Sequence, residues 1–245
     1  MRLEREDCAK DDRIEVFNRD IATNEGYLYT TNIGVSSQMA TRRSLDTIIR
    51  VGQFEGKSLL DVGCGDGFYT FQYWEMCRRK RLVGLDAAEK AIEIARSRTN
   101  GRPIEFHTGI SQKLPFPDNS FDIVQLQSIL HHDDDPQGSI REAFRVAPVV
   151  LIHEPNGNNL GLKIIEKLSP YHREHGERSF STWRMKQWIH QAGGRVEELR
   201  FAGFVAMFCP DWMAHTMKAV EPIVENVPVL RALGSSVYVI RAVRA

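Results

Sequence analysis

The sequence predicts an α/β fold in which helices cover both faces of a mostly parallel β-sheet. From Ser58 onward, short apolar runs alternate with segments of helical period, which is typical of βαβ units. The apolar runs are continuous, as expected of strands that are buried on both faces. With 245 residues, 42% of them apolar and 26% charged, the chain can fill a core and keep a polar surface.

The strands are predicted from these apolar runs in chain order: 58–62, 81–85, 103–107, 121–126 and 148–153, with RVEELRF (195–201) and SVYVIRAVR (236–244) completing the sheet. Covering helices are predicted from three apolar stripes at helical spacing: Ala88, Ala91, Ile92 and Ala95; Ile140, Ala143, Phe144 and Ala147; Met185, Trp188, Ile189 and Ala192. Asp135 and Pro136 mark the start of the second helix, as N-cap and first helical residue.

The flanking segments divide the chain. Residues 1–56 read as a helical lead-in and lid, with Ser36 and Ser37 capping a helix that ends near Gly52. Residues 57–245 form the main domain, with insertions at about 155–181 and 203–235, because both segments lack a strong period and exceed the usual length of a connection. Tyr27 and Tyr29 lie in a lead-in loop that could close over a ligand.

Composition limits the classes of partner. The 32 basic and 32 acidic residues cancel, whereas a nucleic-acid partner normally requires a basic excess. The sequence has neither a membrane-spanning apolar run nor an apolar leader, so we expect a cytoplasmic protein. The four cysteines include no CxxC pair, and the adjacent acids Asp133 to Asp135 point in different directions, so no metal is predicted. A homo-oligomer stays open.

The loop LLDVGCGDG, Leu59 to Gly67, is the most informative segment. Its three glycines follow a strand and precede a helix near Phe68, so they permit positive φ and let a ligand approach the backbone. Asp86 lies 23 residues beyond Gly63, at the end of the next strand, where it suits a pair of ribose hydroxyls. Alternatively, Asp86 caps the next helix, with Glu89 completing a capping box.

Two ligand classes compete for this loop. A dinucleotide fingerprint, GxGxxG, would need a glycine where Phe68 stands, and Asp66 would face its pyrophosphate unfavourably. S-adenosylmethionine carries a sulfonium and an ammonium and has no phosphate. The spacing and the charge therefore favour S-adenosylmethionine, and they disfavour a nicotinamide oxidoreductase.

On this loop and on TGISQKLPFPDNSFDIVQLQSILHHDDDP from Thr108, the chain resembles the class I S-adenosylmethionine-dependent methyltransferases. The type is that of the small-molecule enzymes of ubiquinone and menaquinone biosynthesis, and the resemblance is strong over residues 57–154. It implies a Rossmann-like, doubly wound, seven-stranded sheet with an antiparallel C-terminal strand, and S-adenosylmethionine as cofactor. The implied cofactor-binding residues are Asp61, Gly63, Gly65 and Gly67 at the methionine portion, Asp86 at the ribose, and Ala87, Ile110, Ser111 and Gln127.

The chain departs from the family pattern at two places. Ile110 stands where the family commonly has an aspartate that accepts from the adenine amino group, so we expect apolar packing and the backbone amides of Ile110 and Ser111 to hold adenine. The loss of one hydrogen bond weakens the site by about 0.5–1.5 kcal/mol without abolishing it. A glycine turn before the fifth strand is also missing.

Methyl transfer requires alignment of donor and acceptor, and a base helps when the acceptor is a hydroxyl or a protonated amine. Carbon and nitrogen acceptors stay open beside oxygen. His131 and His132 follow the fourth strand and are the predicted catalytic residues. The predicted substrate-binding residues are Tyr27, Tyr29, Glu154 and Asn156, although the last two could equally bond their own turn. We predict methyl transfer to a small molecule at a hydroxyl oxygen; the alternative is a catalytically silent, cofactor-binding relative.

Overall fold

The computed structural model describes residues 15, 16, 18, 19, 21, 23, 26, 27, 33–169 and 178–245. Its elements, in chain order, are α1 (Val35–Gly52), β1 (Ser58–Val62), α2 (Phe68–Met76), β2 (Arg81–Asp86), α3 (Glu89–Ser97), β3 (Glu105–Thr108), β4 (Ile123–Gln127), α4 (Pro136–Val146), β5 (Val149–Pro155), α5 (Leu160–Leu168), α6 (Thr182–Gln191), β6 (Gly194–Ala202), α7 (Asp211–Asn226), α8 (Pro228–Gly234) and β7 (Val237–Arg244).

The strands form one seven-stranded sheet in the order β3-β2-β1-β4-β5-β7-β6. Strands β1 to β5 pair in parallel, whereas β7 runs antiparallel to both β5 and β6. This confirms the predicted α/β class, the mostly parallel sheet and its antiparallel last strand. The strand order reverses between β1 and β4, because β2 and β3 lie on one side of β1 and β4 and β5 lie on the other. Such sheets bind ligands at the carboxyl ends of the strands beside this reversal.

Helices pack on both faces of the sheet, as the continuous apolar strands require. Strands β1 and β4 are buried along their whole length. One apolar cluster joins the sheet to α4 and α6 through residues such as Ile140 and Ile189. A second cluster joins the other face to α1, α2 and α3, through Ile48, Tyr73 and Ile92. The predicted stripes are therefore the buried faces of covering helices.

Some element boundaries differ from those predicted. Strand β3 begins at Glu105, two residues after Pro103, which has no amide hydrogen to donate to a neighbour. Strand β4 begins at Ile123, because the Asp122 carboxylate instead accepts hydrogen bonds from the Ser58 amide (2.8 Å) and hydroxyl (2.7 Å). These bonds tie the starts of β1 and β4 together.

The two predicted helix starts have opposite outcomes. Asp135 caps α4, since its Oδ1 accepts from the Gly138 amide at 2.9 Å and Pro136 is the first helical residue. The predicted Ser36–Ser37 cap of α1 is wrong. The helix begins after Gly34, and both serines are buried within its first turn without making a capping bond. A serine side chain turned into the interior cannot reach the exposed first amides of its helix.

The two long segments contain helices that were not predicted from the sequence. Helix α5 lies in the first, and α7 and α8 lie in the second. Helices α5 and α8 bury no residue, and α7 contains Pro222. In α5, Leu160, Ile164, Ile165 and Leu168 nevertheless lie at helical spacing, a stripe from which this helix could have been predicted. The division into a lead-in, a main domain and insertions stays a prediction.

The edge of the sheet around β5 is complete despite the missing glycine turn. Strand β5 pairs with β7 at every residue from Val149 to Pro155. Helix α4 ends at Val146, and Ala147 and Pro148 alone join it to β5. Within the described ranges, every helix is too short or too polar to cross a membrane.

Candidate active site

A cavity of about 1380 Å³ opens at the carboxyl ends of β1 to β5. Helices α1 and α5 and the segment after β6 complete its walls. Pockets for one drug-sized ligand commonly measure about 300–1,000 Å³. The cavity therefore has room for a cofactor and a second small molecule side by side.

Bare backbone forms one wall of the cavity, at the glycine loop. Gly63 and Gly65 border the cavity with φ of +82° and +55°. A Cβ on Gly63 would lie 2.0 Å from Cγ2 of Ile129, and one on Gly65 would lie 2.5 Å from the Tyr27 ring. Both positions thus require glycine for conformation and for space. Gly67 (φ +83°) turns behind this wall, against Phe71, and does not border the cavity.

Asp86 stands beside the glycine loop, together with Ala87, at the border of the cavity. Its Oδ2 accepts from the Gly65 amide and its Oδ1 from the Ala88 amide, each at 2.9 Å. Because a carboxylate offers about four acceptor positions, it keeps capacity for a diol. The capping-box alternative fails, since the N-cap of α3 is Ala88 and makes no side-chain bond. Burial raises the pKa of Asp86.

The two other acids of the loop lie differently from their predicted positions. Asp61 is fully buried, accepts from the Thr70 hydroxyl at 2.6 Å and does not border the cavity. Burial raises its pKa to about 7. Asp66 borders the cavity but pairs with Arg98 at 2.9 Å. This ion pair offsets the negative charge of Asp66. The charge of Asp66 alone therefore does not favour a cationic ligand over one with a pyrophosphate.

A buried carboxylate joins the loops that follow β3 and β4. Asp133 accepts from the Ser111 hydroxyl at 3.4 Å, from the Gln112 and Ser139 side chains, and from the Asp135 amide at 2.9 Å. Ile110, which borders the cavity with Ser111, is thereby held in place. Asp133 is thus a structural residue of the site. In the parts of the chain that the structure describes, no group of three His, Cys, Asp or Glu residues could hold a metal ion.

His131 and Glu154 form a buried pair at the cavity. The Nδ1 atom of His131 lies 2.7 Å from Oε2 of Glu154, and Oε1 of Glu154 accepts from the Leu130 amide at 2.8 Å. Both His131 and His132 border the cavity, with ring centroids 3.9 Å apart. Burial raises the pKa of Glu154 to about 8. The structure brings the predicted catalytic residues together and orients one of them.

Two of the predicted substrate-binding residues do not border the cavity. They are Glu154 and Asn156, which are 1% and 0% exposed. Glu154 serves His131, and the Asn156 amide donates to the carbonyls of Ala232 (3.0 Å) and Ser235 (2.9 Å). These side chains bond the protein itself, which corrects their assignment to substrate. Tyr27 borders the cavity, whereas Tyr29 lies outside the described residues.

His153 and Tyr69 border the cavity at its polar end and are outside the predicted set. His153 lies near the carboxyl end of β5, where its Nδ1 meets the Ser128 hydroxyl at 2.9 Å and the predicted residue Gln127 at 3.2 Å. Burial lowers the pKa of His153 to about 4, so its ring is neutral at pH 7. Tyr69 borders the cavity from α2. The strand-end position of His153 is a signal that could have identified it; no pattern in the sequence distinguishes Tyr69.

The part of the cavity away from the glycine loop is mostly apolar, although Asn159 and Glu166 also border it. Its apolar lining comes from α5, the segment after β6, and α7, and includes Leu162, Ile165, Phe204, Val205, Met207, Phe208 and Met217. These elements lie in the two segments that the sequence identifies as insertions. An apolar wall suits a largely apolar molecule and excludes water from the reaction.

Comparisons with known proteins agree with this geometry. Residues 60–148 match a family described as a methyltransferase domain. The chain is 29% identical to a demethylmenaquinone methyltransferase of Lactococcus lactis, over 66% of this chain and 71% of that relative. It is 41% identical to a fatty-acid O-methyltransferase of Mycolicibacterium smegmatis, over 29% of this chain and 26% of that relative.

Among solved structures, the chain resembles a Thermotoga maritima methyltransferase described as a possible histamine N-methyltransferase. The TM-score is 0.64 at 17% identity, with 95% of this chain and 100% of that chain covered. The backbone of Gly63 and Gly65 at the border of the cavity, and the carboxylate of Asp86 with acceptor capacity to spare, both fit S-adenosylmethionine. Residues 60–148 thus match a methyltransferase domain, and the named relatives together with the site geometry support a class I S-adenosylmethionine-dependent methyltransferase.

Proposed function

We propose that this enzyme methylates a hydroxyl oxygen of a small, largely apolar molecule, with His131 as general base. The observation that carries the proposal is the 2.7 Å contact between His131 Nδ1 and Glu154 Oε2 at the border of the cavity. A base that a carboxylate orients in this way can take the proton of a hydroxyl acceptor as the methyl group is transferred.

The cofactor would lie along the strand ends on the glycine-loop side. Gly63 and Gly65 would hold its methionine portion and Asp86 its ribose, with Ala87 and Gln127 alongside. The backbone around Ile110 and Ser111 would hold adenine. The bound cofactor supplies a methyl carbon that is already activated by a positively charged sulfur. Contacts of Asp61 and Gly67 with the cofactor stay predictions, because both lie behind the lining.

The protein's own part in the reaction is alignment and proton transfer. With Glu154 ionised, its Oε2 accepts the Nδ1 hydrogen of His131, and we assign the transfer of the acceptor's proton to Nε2 of the same ring. Glu154 then stabilises the positive imidazolium. The apolar wall of Leu162, Phe204 and Met207 excludes water and holds the acceptor near the methyl group. His132 would lie beside this base.

Other observations support a catalytic role over the silent alternative. The family match and the named relatives are methyltransferases. The relatives and neighbours do not agree on the acceptor, since one is named for transfer to oxygen and another as a possible N-methyltransferase. The hydroxyl acceptor therefore rests on the His131–Glu154 pair. The cytoplasmic location, the absence of a nucleic-acid partner and a homo-oligomer stay predictions from the sequence.

The proposal is tested by incubating the enzyme with S-adenosylmethionine and a panel of apolar phenols, alcohols, amines and fatty acids. We expect S-adenosylhomocysteine to form with hydroxylated compounds, and the methyl group to be found on oxygen by mass spectrometry. His131→Asn should lower kcat by about 10²–10⁴ while the affinity for S-adenosylhomocysteine stays unchanged. A product methylated on nitrogen or carbon, or an unchanged kcat in this variant, would contradict the proposal.

A further inference from the structure

The segment from Gly203 to Phe208, here called the β6–α7 loop, forms much of the apolar wall. It leaves β6 at Gly203, which has a φ of +76°, and it ends at Phe208, which has a φ of +63°. A residue with a side chain pays about 1–3 kcal/mol for such a conformation, and it persists only where surrounding contacts enforce it. The contacts that fix this loop against the cavity lie at its other end, at Gly203 and Phe204.

Two carboxylates of α7 hold the start of the loop. Oε1 of Glu225 accepts from the Gly203 amide at 2.9 Å, and Oε2 of Glu221 accepts from the Phe204 amide at 3.0 Å. Four residues separate these acids, so both project from one face of the helix. The Glu221 side chain is 4% exposed and that of Glu225 is 13% exposed. Two carboxylates this deeply buried and this close require positive charge nearby.

Arg43 supplies that charge from α1. Its Nε donates to Oε1 of Glu225 at 2.8 Å and its Nη2 donates to Oε2 of the same carboxylate, so the two groups meet as a fork. Its Nε also lies 3.9 Å from Oε1 of Glu221, which additionally pairs with Lys218. The same helix brings Ala40, Thr41 and Ser44 to the cavity. One side chain thus connects two walls that are distant in sequence.

We propose that Arg43, Glu221 and Glu225 form a latch that positions the β6–α7 loop as the acceptor-side wall of the cavity. Arg43 is then a positioning residue for the acceptor and not for the cofactor, which the other wall would hold. Without the guanidinium, Glu225 loses its compensating charge and Glu221 keeps only Lys218, so the carboxylates repel each other, turn toward water and release the amides of Gly203 and Phe204. The assignment of this wall to the acceptor rests on the proposed function.

The test compares Arg43→Gln with Arg42→Gln, a matched control on the same helix whose ion pair with Asp46 is exposed on both sides. We expect amide hydrogen exchange of residues 203–208 to rise roughly tenfold in Arg43→Gln, while that of the β1 strand stays unchanged. The dissociation constant for S-adenosylhomocysteine should stay within about twofold. Arg43→Lys, which keeps the charge but not the fork, should give an intermediate exchange rate. Arg42→Gln should match the unmodified protein.

Three results in Arg43→Gln would overturn the latch. The first is unchanged hydrogen exchange over residues 203–208, and the second is faster exchange throughout the sheet. The third is a weaker affinity for S-adenosylhomocysteine that accompanies the loss of protection in the loop. A merely structural role gives the second result. Exchange and S-adenosylhomocysteine affinity need no acceptor, so they decide on the latch even if no hydroxyl acceptor is found. Once an acceptor is known, its KM should rise in Arg43→Gln and that for S-adenosylmethionine should not.

Discussion

At Gly63 the backbone has a φ of +82°. Neighbouring atoms of the protein occupy the space in which a side chain would lie. A Cβ there would lie 2.0 Å from Cγ2 of Ile129 and 2.9 Å from the Gln127 carbonyl oxygen. Gly101 has a nearly identical φ of +79°, but nothing lies within 4 Å of its missing Cβ. The two positions separate the cost of the conformation from the cost of the contact.

We therefore expect Gly101→Ala to lower the free energy of unfolding by about 1–2 kcal/mol and to leave S-adenosylmethionine binding unchanged. Gly63→Ala adds the clash to the same strain, so it should lower stability further and weaken binding by at least about tenfold. Urea unfolding and calorimetric titration measure the two effects. Equal affinities in the two variants would show that the glycine loop does not hold the cofactor.

The His131–Glu154 pair should set the pH dependence of the reaction. Burial raises the pKa of Glu154 to about 8, and its Oε2 lies 2.7 Å from His131 Nδ1. The proposed base needs the ionised carboxylate of Glu154 as its partner, so kcat/KM should rise with pH through about 8 and then level off. Glu154→Gln, which cannot ionise, should abolish that rise. A flat profile for the unmodified enzyme between pH 6 and pH 10 would contradict the assignment.

At the scale of the element, helix α4 depends on the residue that caps its N-terminus. Asp135 accepts from the Gly138 amide at 2.9 Å, and Pro136 begins the helix without a donor to satisfy. We expect Asp135→Ala to lower the free energy of unfolding by about 0.5–2 kcal/mol. Asp135→Asn, which keeps a side-chain acceptor, should lose only a small part of this. If urea unfolding shows the same loss for both variants, the cap is not what Asp135 contributes.

Elements were predictable where local pattern and tertiary role coincide. Strands such as β1 and β5 are buried on both faces, so their apolar runs are continuous in the sequence. Helix α4 combines a buried stripe with a cap. Helix α5 buries no residue, because its apolar side chains border a cavity or face outward, although they recur at helical spacing in the sequence.

For the whole molecule, buried acids make stability depend on pH. Burial raises the pKa of Asp61 to about 7 from an ordinary value near 3.8. Between these values the folded protein holds a proton that the unfolded chain releases, so this contribution is complete below pH 3.8 and is lost as pH rises through 7. Glu154, with its pKa raised to about 8, acts in the same direction.

We therefore expect the free energy of unfolding to fall more steeply between pH 5 and pH 8 in the unmodified protein than in Asp61→Asn. The variant pays a constant cost, because its amide has no acceptor in the buried site, but it loses the pH-dependent part. Urea unfolding at several pH values measures both. Parallel curves for the two proteins would mean that Asp61 is ionised in the folded state throughout.

The site could be predicted from the sequence where its residues directly follow predicted strands. Gly63, Asp86 and His131 all follow apolar runs, and parallel strands bring their carboxyl ends together. The partners of these residues depend on contacts that the sequence does not encode locally. Examples are Glu154 beneath His131 and Arg98 beside Asp66, which changed the roles inferred for both acids.

The position of β7 between β5 and β6 has a consequence for the order of folding. Strand β6 precedes β7 in the chain but reaches the sheet only through it. The glycine loop and strands β1 to β5 can assemble beforehand, so a nucleoside pocket can exist while the opposite wall is still absent. Ribosome-bound or pulse-labelled intermediates should consequently acquire affinity for the nucleoside before they acquire a closed reaction chamber, because long-range strand pairing is slow.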